Sequence, residues 1–309
     1  MRNLILLWLN QPQKLQIQRS LKKKILQSPT TNQLSTEGPT MTDTDENVTN
    51  GPRQLTVIGV ASGKGGVGKT TLSAHIALAL CQLGHRVALL DADLGLANAQ
   101  LLLGVNAPFH VGDVLAGRKS LDEVCVAGPL GLTLIPGASG NSELANLTAA
   151  EAQGLVQSIA ASTQEIDVVV IDAAAGLSES NLTFLRACDI RLVVLQDEPA
   201  SIADAYGLIK LQSLESRMEN LFVVPNRVSS QKAGADLFEK MNRVCMKFLD
   251  EPVGYLHSVE EDPELTKASR QRQNIFESNP HSSAAKCFTE LALRLSKALS
   301  RDNIANPTQ

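Results

Sequence analysis

Residues 57–84 read VIGVASGKGGVGKTTLSAHIALALCQLG, an apolar run, a glycine-rich turn and a stretch of helical period in direct succession. The turn matches G-x-x-x-x-G-K-[ST] at Gly63, Gly68, Lys69 and Thr70, between a strand pattern and a helix pattern, as that motif requires. Its glycines let successive backbone N–H groups point into one concavity, and the helix N-terminus adds partial positive charge. The candidate phosphate cradle is Gly63, Lys64, Gly65, Gly66, Val67, Gly68, Lys69, Thr70 and Thr71. Lys69 is placed to reach the β and γ phosphates and Thr70 to ligate Mg²⁺, so the ligand read from these residues is a nucleoside triphosphate. Lys64, five positions before Lys69, has no task in that scheme.

Outward from this stretch, short apolar runs alternate with helical periods. The runs fall at 55–61, 87–90, 132–135, 166–171, 192–195, 221–224 and 253–256. Most are continuously apolar, as strands buried on both faces of a parallel sheet are. Between the first two, Leu72, Ile76, Ala79, Leu80 and Leu83 fall on one helical face and Gly84 supplies the stop. The alternation predicts a single α/β domain over residues 53–300, with a doubly wound, mostly parallel sheet of about seven or eight strands flanked by helices, of the P-loop NTPase type.

Acids stand where such a site needs them. The run VVVID ends at Asp172, at the C-terminal tip of a buried strand, the position from which a Walker B carboxylate holds the metal. A second strand, VALLD, runs into DADLGLAN and brings Asp91 and Asp93 to the same sheet edge, where ligands bind in open α/β folds. Asp93 is assigned to position the attacking water and close on Mg²⁺; Asp91 stays open as its alternative or as a structural turn residue.

Hydrophobic residues make up 43% of the 309 residues and charged residues 19%, the balance of a globular protein with a sizeable core. Aromatic residues are 3%, poor material for base-stacking surfaces, and a net charge of −4 excludes a chain built to coat nucleic acid. The five cysteines, Cys81, Cys125, Cys188, Cys245 and Cys287, are scattered without a C-x-x-C pair, which predicts reduced thiols in a cytosolic protein. No apolar run reaches the roughly 18 residues of a membrane-spanning helix. Residues 1–52 read as a disordered extension, rich in Gln, Ser, Thr and Asn. Two readings of it stay open: a weak basic interfacial anchor over Met1–Leu26, or translation starting at Met41. Residues 301–309 read as a polar tail.

The pair GKGGVGKTT and DADLGLAN resembles the deviant P-loop of the MinD/ParA family. The resemblance implies a role for Lys64: in that family the extra lysine reaches across a dimer interface to the phosphates of the partner's ATP. Further along, LLLGV (101–105), GDVLAGRKSLDEV (112–124), LIPGASG (134–140), DEPASIADAYGLIK (197–210) and ASRQRQNIFE (268–277) resemble the flagellar-number regulator branch, FleN/FlhG. That branch implies an ATP-bound homodimer, slow Mg²⁺-dependent ATP hydrolysis, restraint of a flagellar master transcription activator of the enhancer-binding type, and work opposite a signal-recognition-type GTPase. It implies a cytoplasmic protein, peripheral at the inner face of the membrane or the cell pole. VVPNRV places Asn226 and Arg227 at the family's adenine-binding Asn-Arg. The Walker B stretch departs from the family as DAAAG, with Ala174 where proline is common and Ala173 where the flagellar branch often has threonine. Phe288, Leu291, Ala292, Leu295 and Leu299 form one helical stripe, expected to dock on the sheet rather than on a membrane. Three alternatives share the site residues: a MinD-type division-site regulator, a ParA-type segregation ATPase, and an ATP-gated binding module with negligible hydrolysis. Lys267, Arg270 and Arg272 cluster, but the net acidity predicts no broad or sequence-specific nucleic-acid binding.

Overall fold

A computed structural model describes residues 55–93, 98–137, 149–161, 166–215 and 218–305, all within the compact unit Arg53–Gln309. The readings of residues 1–52, and those on 94–97, 138–140 and 306–309, lie outside the described residues. In chain order the elements are β1 (Thr56–Ser62), α1 (Lys69–Gln82), β2 (Val87–Ala92), and three short helices, α2 (Ala99–Leu102), α3 (Val111–Leu115) and α4 (Leu121–Val124). Then come β3 (Val126–Ala127), β4 (Thr133–Ile135), α5 (Ala149–Ala160), β5 (Val168–Ala175), α6 (Glu179–Arg186), β6 (Ile190–Leu195) and α7 (Pro199–Ser213). The chain closes with β7 (Leu221–Val228), α8 (Gln231–Leu249), β8 (Gly254–Tyr255), β9 (Val259–Glu260), α9 (Pro263–Arg270), α10 (Ile275–Ser278) and α11 (Ser283–Ala305).

Each of the seven apolar runs forms a strand. The sheet order is β3-β4-β2-β5-β1-β6-β7-β8, with β9 beside β7, and every pairing is parallel except β3 with β4. β3 and β9 were not anticipated, because two residues carry no periodicity to read. Strand β1 is central: the chain leaves it toward β2 on one side, while β5 and β6 flank it directly. The loop after β1 therefore lies where the winding changes direction, the crevice in which open α/β sheets hold ligands.

Alternate residues of the central strands feed opposite layers. Ile58 and Val60 of β1 and Val168 and Val170 of β5 pack under α1 and α11. Val57, Val169 and Ile171 face α5 and α6, and Ala61, Val193 and Leu195 face α6, α7 and α8. Helix α1 differs from the single-stripe expectation. Every residue from Leu72 to Leu80 is buried, because the sheet covers one side and α11 the other, while Leu83 is exposed. Gly84, with φ 87°, ends the helix as read. The stripe Phe288, Leu291, Ala292, Leu295 and Leu299 is buried, in one cluster with α1 and with residues of the sheet. Helix α11 also continues to Ala305, so residues 301–305 are helical rather than a tail. Among the described residues no helix is long and apolar enough to cross a membrane.

Candidate nucleotide site

Three glycines of the loop, Gly63, Gly66 and Gly68, each answer a local constraint. Gly66 and Gly68 have φ of 82° and 88°, a region in which other residues are strained. A Cβ on Gly68 would also lie 2.5 Å from Asn226 Nδ2, and one on Gly63 would lie 2.3 Å from the Asp204 carbonyl of α7. A Cβ on Gly65 would meet nothing within 4 Å, so this side of the cradle is open. The loop is tied from behind through the Val67 carbonyl, which accepts from Asn226 Nδ2 at 2.7 Å and from Gln196 Nε2 at 3.4 Å.

Lys69 opens α1, and its ammonium lies 2.7 Å from Asp172 Oδ1; the two side chains are 7% and 0% exposed. Ser73, one turn on, shares its hydroxyl between the Lys69 carbonyl (3.0 Å) and the same Asp172 oxygen (2.8 Å). Asp172 Oδ2 is buried without a hydrogen-bond partner. Thr70 is half-buried at the second position of the helix. Asp91 stands opposite Asp172 in the β2–β5 ladder. Its carboxylate accepts from the backbone N–H of Asp93 (3.1 Å), Asn98 (3.0 Å) and Ala99 (3.0 Å). Burial first, and then the charge of Asp172, push the Asp91 carboxyl up to about 7. Asp91 thus ties down the backbone at Asp93, which is half-buried just past the end of β2.

Lys64 takes no part in this buried set. Its Nζ lies 2.7 Å from Glu198 Oε2 just before α7, in a pair whose side chains are 39% and 53% exposed. On the α1 side of the loop a cavity of ≈ 440 Å³ is lined by Gly68, Thr71, Asn226, Arg227, Glu261 and Asp262, among others. Asn226 is 6% exposed, and Arg227 has a left-handed φ of 55°, uncommon for a residue with a side chain. The two expected adenine contacts therefore stand together at one cavity beside the phosphate cradle.

Residues 58–275 match the family described as CobQ/CobB/MinD/ParA nucleotide binding domain. The chain belongs to this MinD/ParA family. It is 41% identical to the antiactivator FleN of Pseudomonas aeruginosa over 77% of this chain and 85% of that protein. It is 31% identical to the flagellum site-determining protein YlxH of Helicobacter pylori over 76% of this chain and 80% of that one. These likenesses place it in the FleN/FlhG branch of the MinD/ParA family. The crystal structure of the Pyrococcus furiosus cell division ATPase MinD superimposes with a TM-score of 0.66 at 26% identity, covering 79% of this chain and 99% of that one. The fold is that of a MinD/ParA nucleotide-binding ATPase.

The MinD/ParA frame also exposes what motif reading passed over. Ser73, Glu198, Gln196, Glu261 and Asp262 all touch or line the site, and none lies in the G-x-x-x-x-G-K-[ST] pattern. Glu198 lies within the DEPAS stretch and Gln196 directly before it, so that block was the available signal. Cys245 and Cys287 are buried and all five cysteines are unpaired.

Proposed function

We propose that this chain is an ATP-dependent, dimerising switch ATPase that regulates flagellar number by restraining a flagellar master transcription activator. The observation that carries the reading is the division between the two lysines of the loop. Lys69 is buried against Asp172, whereas Lys64 stands at the rim in an exposed ion pair. An exposed rim lysine supports the reading that Lys64 neutralises phosphate charge on a facing second subunit and so couples occupancy by the terminal phosphate to dimer formation. The flagellar assignment is supported by the relatives named an antiactivator and a flagellum site-determining protein.

The residues fit ATP and Mg²⁺. The cradle is open over Gly65, and Asp172 Oδ2 is a buried acceptor with no hydrogen-bond partner among the described residues. Because Nδ2 of Asn226 is committed to Val67, its Oδ1 is left to accept from the amino group of adenine. Thr70 and Asp172 would hold Mg²⁺, which offsets charge on the β and γ phosphate oxygens when bound. Lys69 turns from Asp172 to the phosphates, Asp93, whose backbone N–H Asp91 holds, orients the attacking water, and Lys64 of the partner subunit meets the charge that develops in the transition state. Hydrolysis is slow and stimulated by a protein partner, with a signal-recognition-type GTPase working in opposition, and the protein acts in the cytoplasm.

Sedimentation or light scattering of wild type and Lys64→Ala, each without nucleotide, with ADP and with a nonhydrolysable ATP analogue plus Mg²⁺, tests the reading. Only wild type with the analogue is expected to dimerise. If both proteins bind the analogue and stay monomeric, the dimer mechanism falls.

A further inference from the structure

Past Asp172, β5 runs through Ala173, Ala174 and Ala175 into Gly176, which has φ 99°. Three alanines and a glycine bring neither a polar side chain nor a proline ring to fix this turn. On one side the Gly176 N–H donates to the carbonyl of Ser62, the last residue of β1 before the phosphate loop, at 2.9 Å. On the other side the brace comes from α6. Asn181, 1% exposed, donates from Nδ2 to the carbonyl oxygens of Ala174 (2.5 Å) and Gly176 (2.9 Å).

Two details argue that this amide serves the turn rather than the helix. Asn181 is the third residue of α6, whose N-cap Ser178 accepts from the Asn181 N–H. At that position Glu or Gln commonly accepts from the N-cap backbone, but both partners here are carbonyls, so the side chain must carry N–H groups to donate. Its Oδ1, moreover, is buried with no hydrogen-bond partner among the described residues. A residue that merely filled this space would be apolar and leave no polar atom unsatisfied.

We propose that Asn181 is a positioning residue for ATP hydrolysis: its amide clasps Ala174 and Gly176 and holds the turn that follows the metal-facing Asp172 against the edge of the phosphate loop at Ser62. It touches neither nucleotide nor water and acts through the two carbonyls. The inference rests on the ATPase reading above.

The test compares wild type with Asn181→Asp, which keeps the size but sets acceptors against the carbonyls, and Asn181→Val, which fills the space with no donor and carries the test if the aspartate variant does not fold. Hydrogen exchange of the peptide spanning residues 173–178, ATP affinity and steady-state kinetics are measured on the same samples. Exchange in wild type without nucleotide is expected to be slowed about a hundredfold relative to an open chain, and to quicken about tenfold in the variants. The kcat is expected to fall about fivefold or more while KM and ATP affinity stay within about twofold, a split that general loss of structure does not produce. Exchange at the open-chain rate in wild type overturns the proposal whatever the variants do. So does a variant with wild-type kcat, or one whose kcat and ATP affinity fall together. Should wild type bind ATP and release no phosphate, the ATPase reading fails, and the exchange result still reports whether the clasp exists.

Discussion

Lys69 and Asp172 solve each other's problem before nucleotide binds. Both are buried, and Asp172 stands beside a second buried acid, Asp91, so without Lys69 an unpaired carboxylate would sit in the core. Lys69→Ala is therefore expected to lower the stability of the nucleotide-free protein by about 3–5 kcal/mol, as well as to abolish ATP binding. Urea denaturation without nucleotide checks the first half, and Asp172→Asn added to Lys69→Ala should recover part of the loss. An unchanged midpoint in Lys69→Ala would mean that the pair contributes nothing before ATP arrives. The Lys64–Glu198 pair is different in kind: half-exposed and screened, it is worth at most about 1 kcal/mol and is easily exchanged for another partner. The phosphate-loop motif identified Lys69, the MinD/ParA resemblance Lys64, and the run VVVID Asp172. None of them identified Glu198, which lies 134 residues from Lys64 and meets it only because the loop before α7 folds over the phosphate loop.

Helix α1 is held in place by a residue no motif marks. His75 is fully buried, with Nδ1 donating to the Thr71 carbonyl at 2.7 Å and Nε2 accepting from the Ile275 N–H at 3.3 Å. Its ring stacks on Phe288 of α11, centroids 4.8 Å apart. One neutral imidazole thus joins the phosphate-loop helix to α10 and α11. Burial lowers its pKa from 6.5 to about 4. The unfolded chain therefore binds the proton more readily, so His75 contributes stability that is complete above pH 6.5 and is lost as pH falls toward 4. Its share of the loss between pH 7.5 and 4.5 is about 2.5 kcal/mol. His75→Gln should be less stable at pH 7.5 yet lose less on acidification, which denaturant midpoints across that range will reveal. Equal acid slopes in the two proteins would defeat this account.

The molecule as a whole is closed by α11. Phe288, Leu291, Ala292 and Leu295 are all at most 1% exposed and share one core cluster with α1 and the central strands. A helix of this kind is part of the core, whereas one that lay on a membrane could be emptied of leucine without unfolding the domain. Leu295→Ala is expected to cost about 2–5 kcal/mol, read from denaturant unfolding. A loss well below that would return the helix to the interfacial reading. The expected docking was correct in kind. What was not anticipated is that α1, read as one-sided, is covered on both sides and packs α11 against it as well.

What could be read from the chain alone rests on short-range pattern. The phosphate loop needs its glycines, Lys69 and Thr70 within one turn, the seven main strands are contiguous apolar runs, and Asp172 follows directly on one of them, so each is written in neighbouring residues. The parallel sheet followed from the same runs, since strands covered on both faces have no polar side to show. Tertiary structure decided the rest: which acid faces Lys69, that Asp91 is buried and raised to about 7, that Glu198 holds Lys64, and that Asn181 reaches back to the turn after Asp172. Most of these depend on burial or on groups brought together across the sheet, and even the Asn181 clasp, over a short stretch of chain, depends on where α6 packs. Desolvation and hydrogen-bond geometry exist only once the sheet has set those distances.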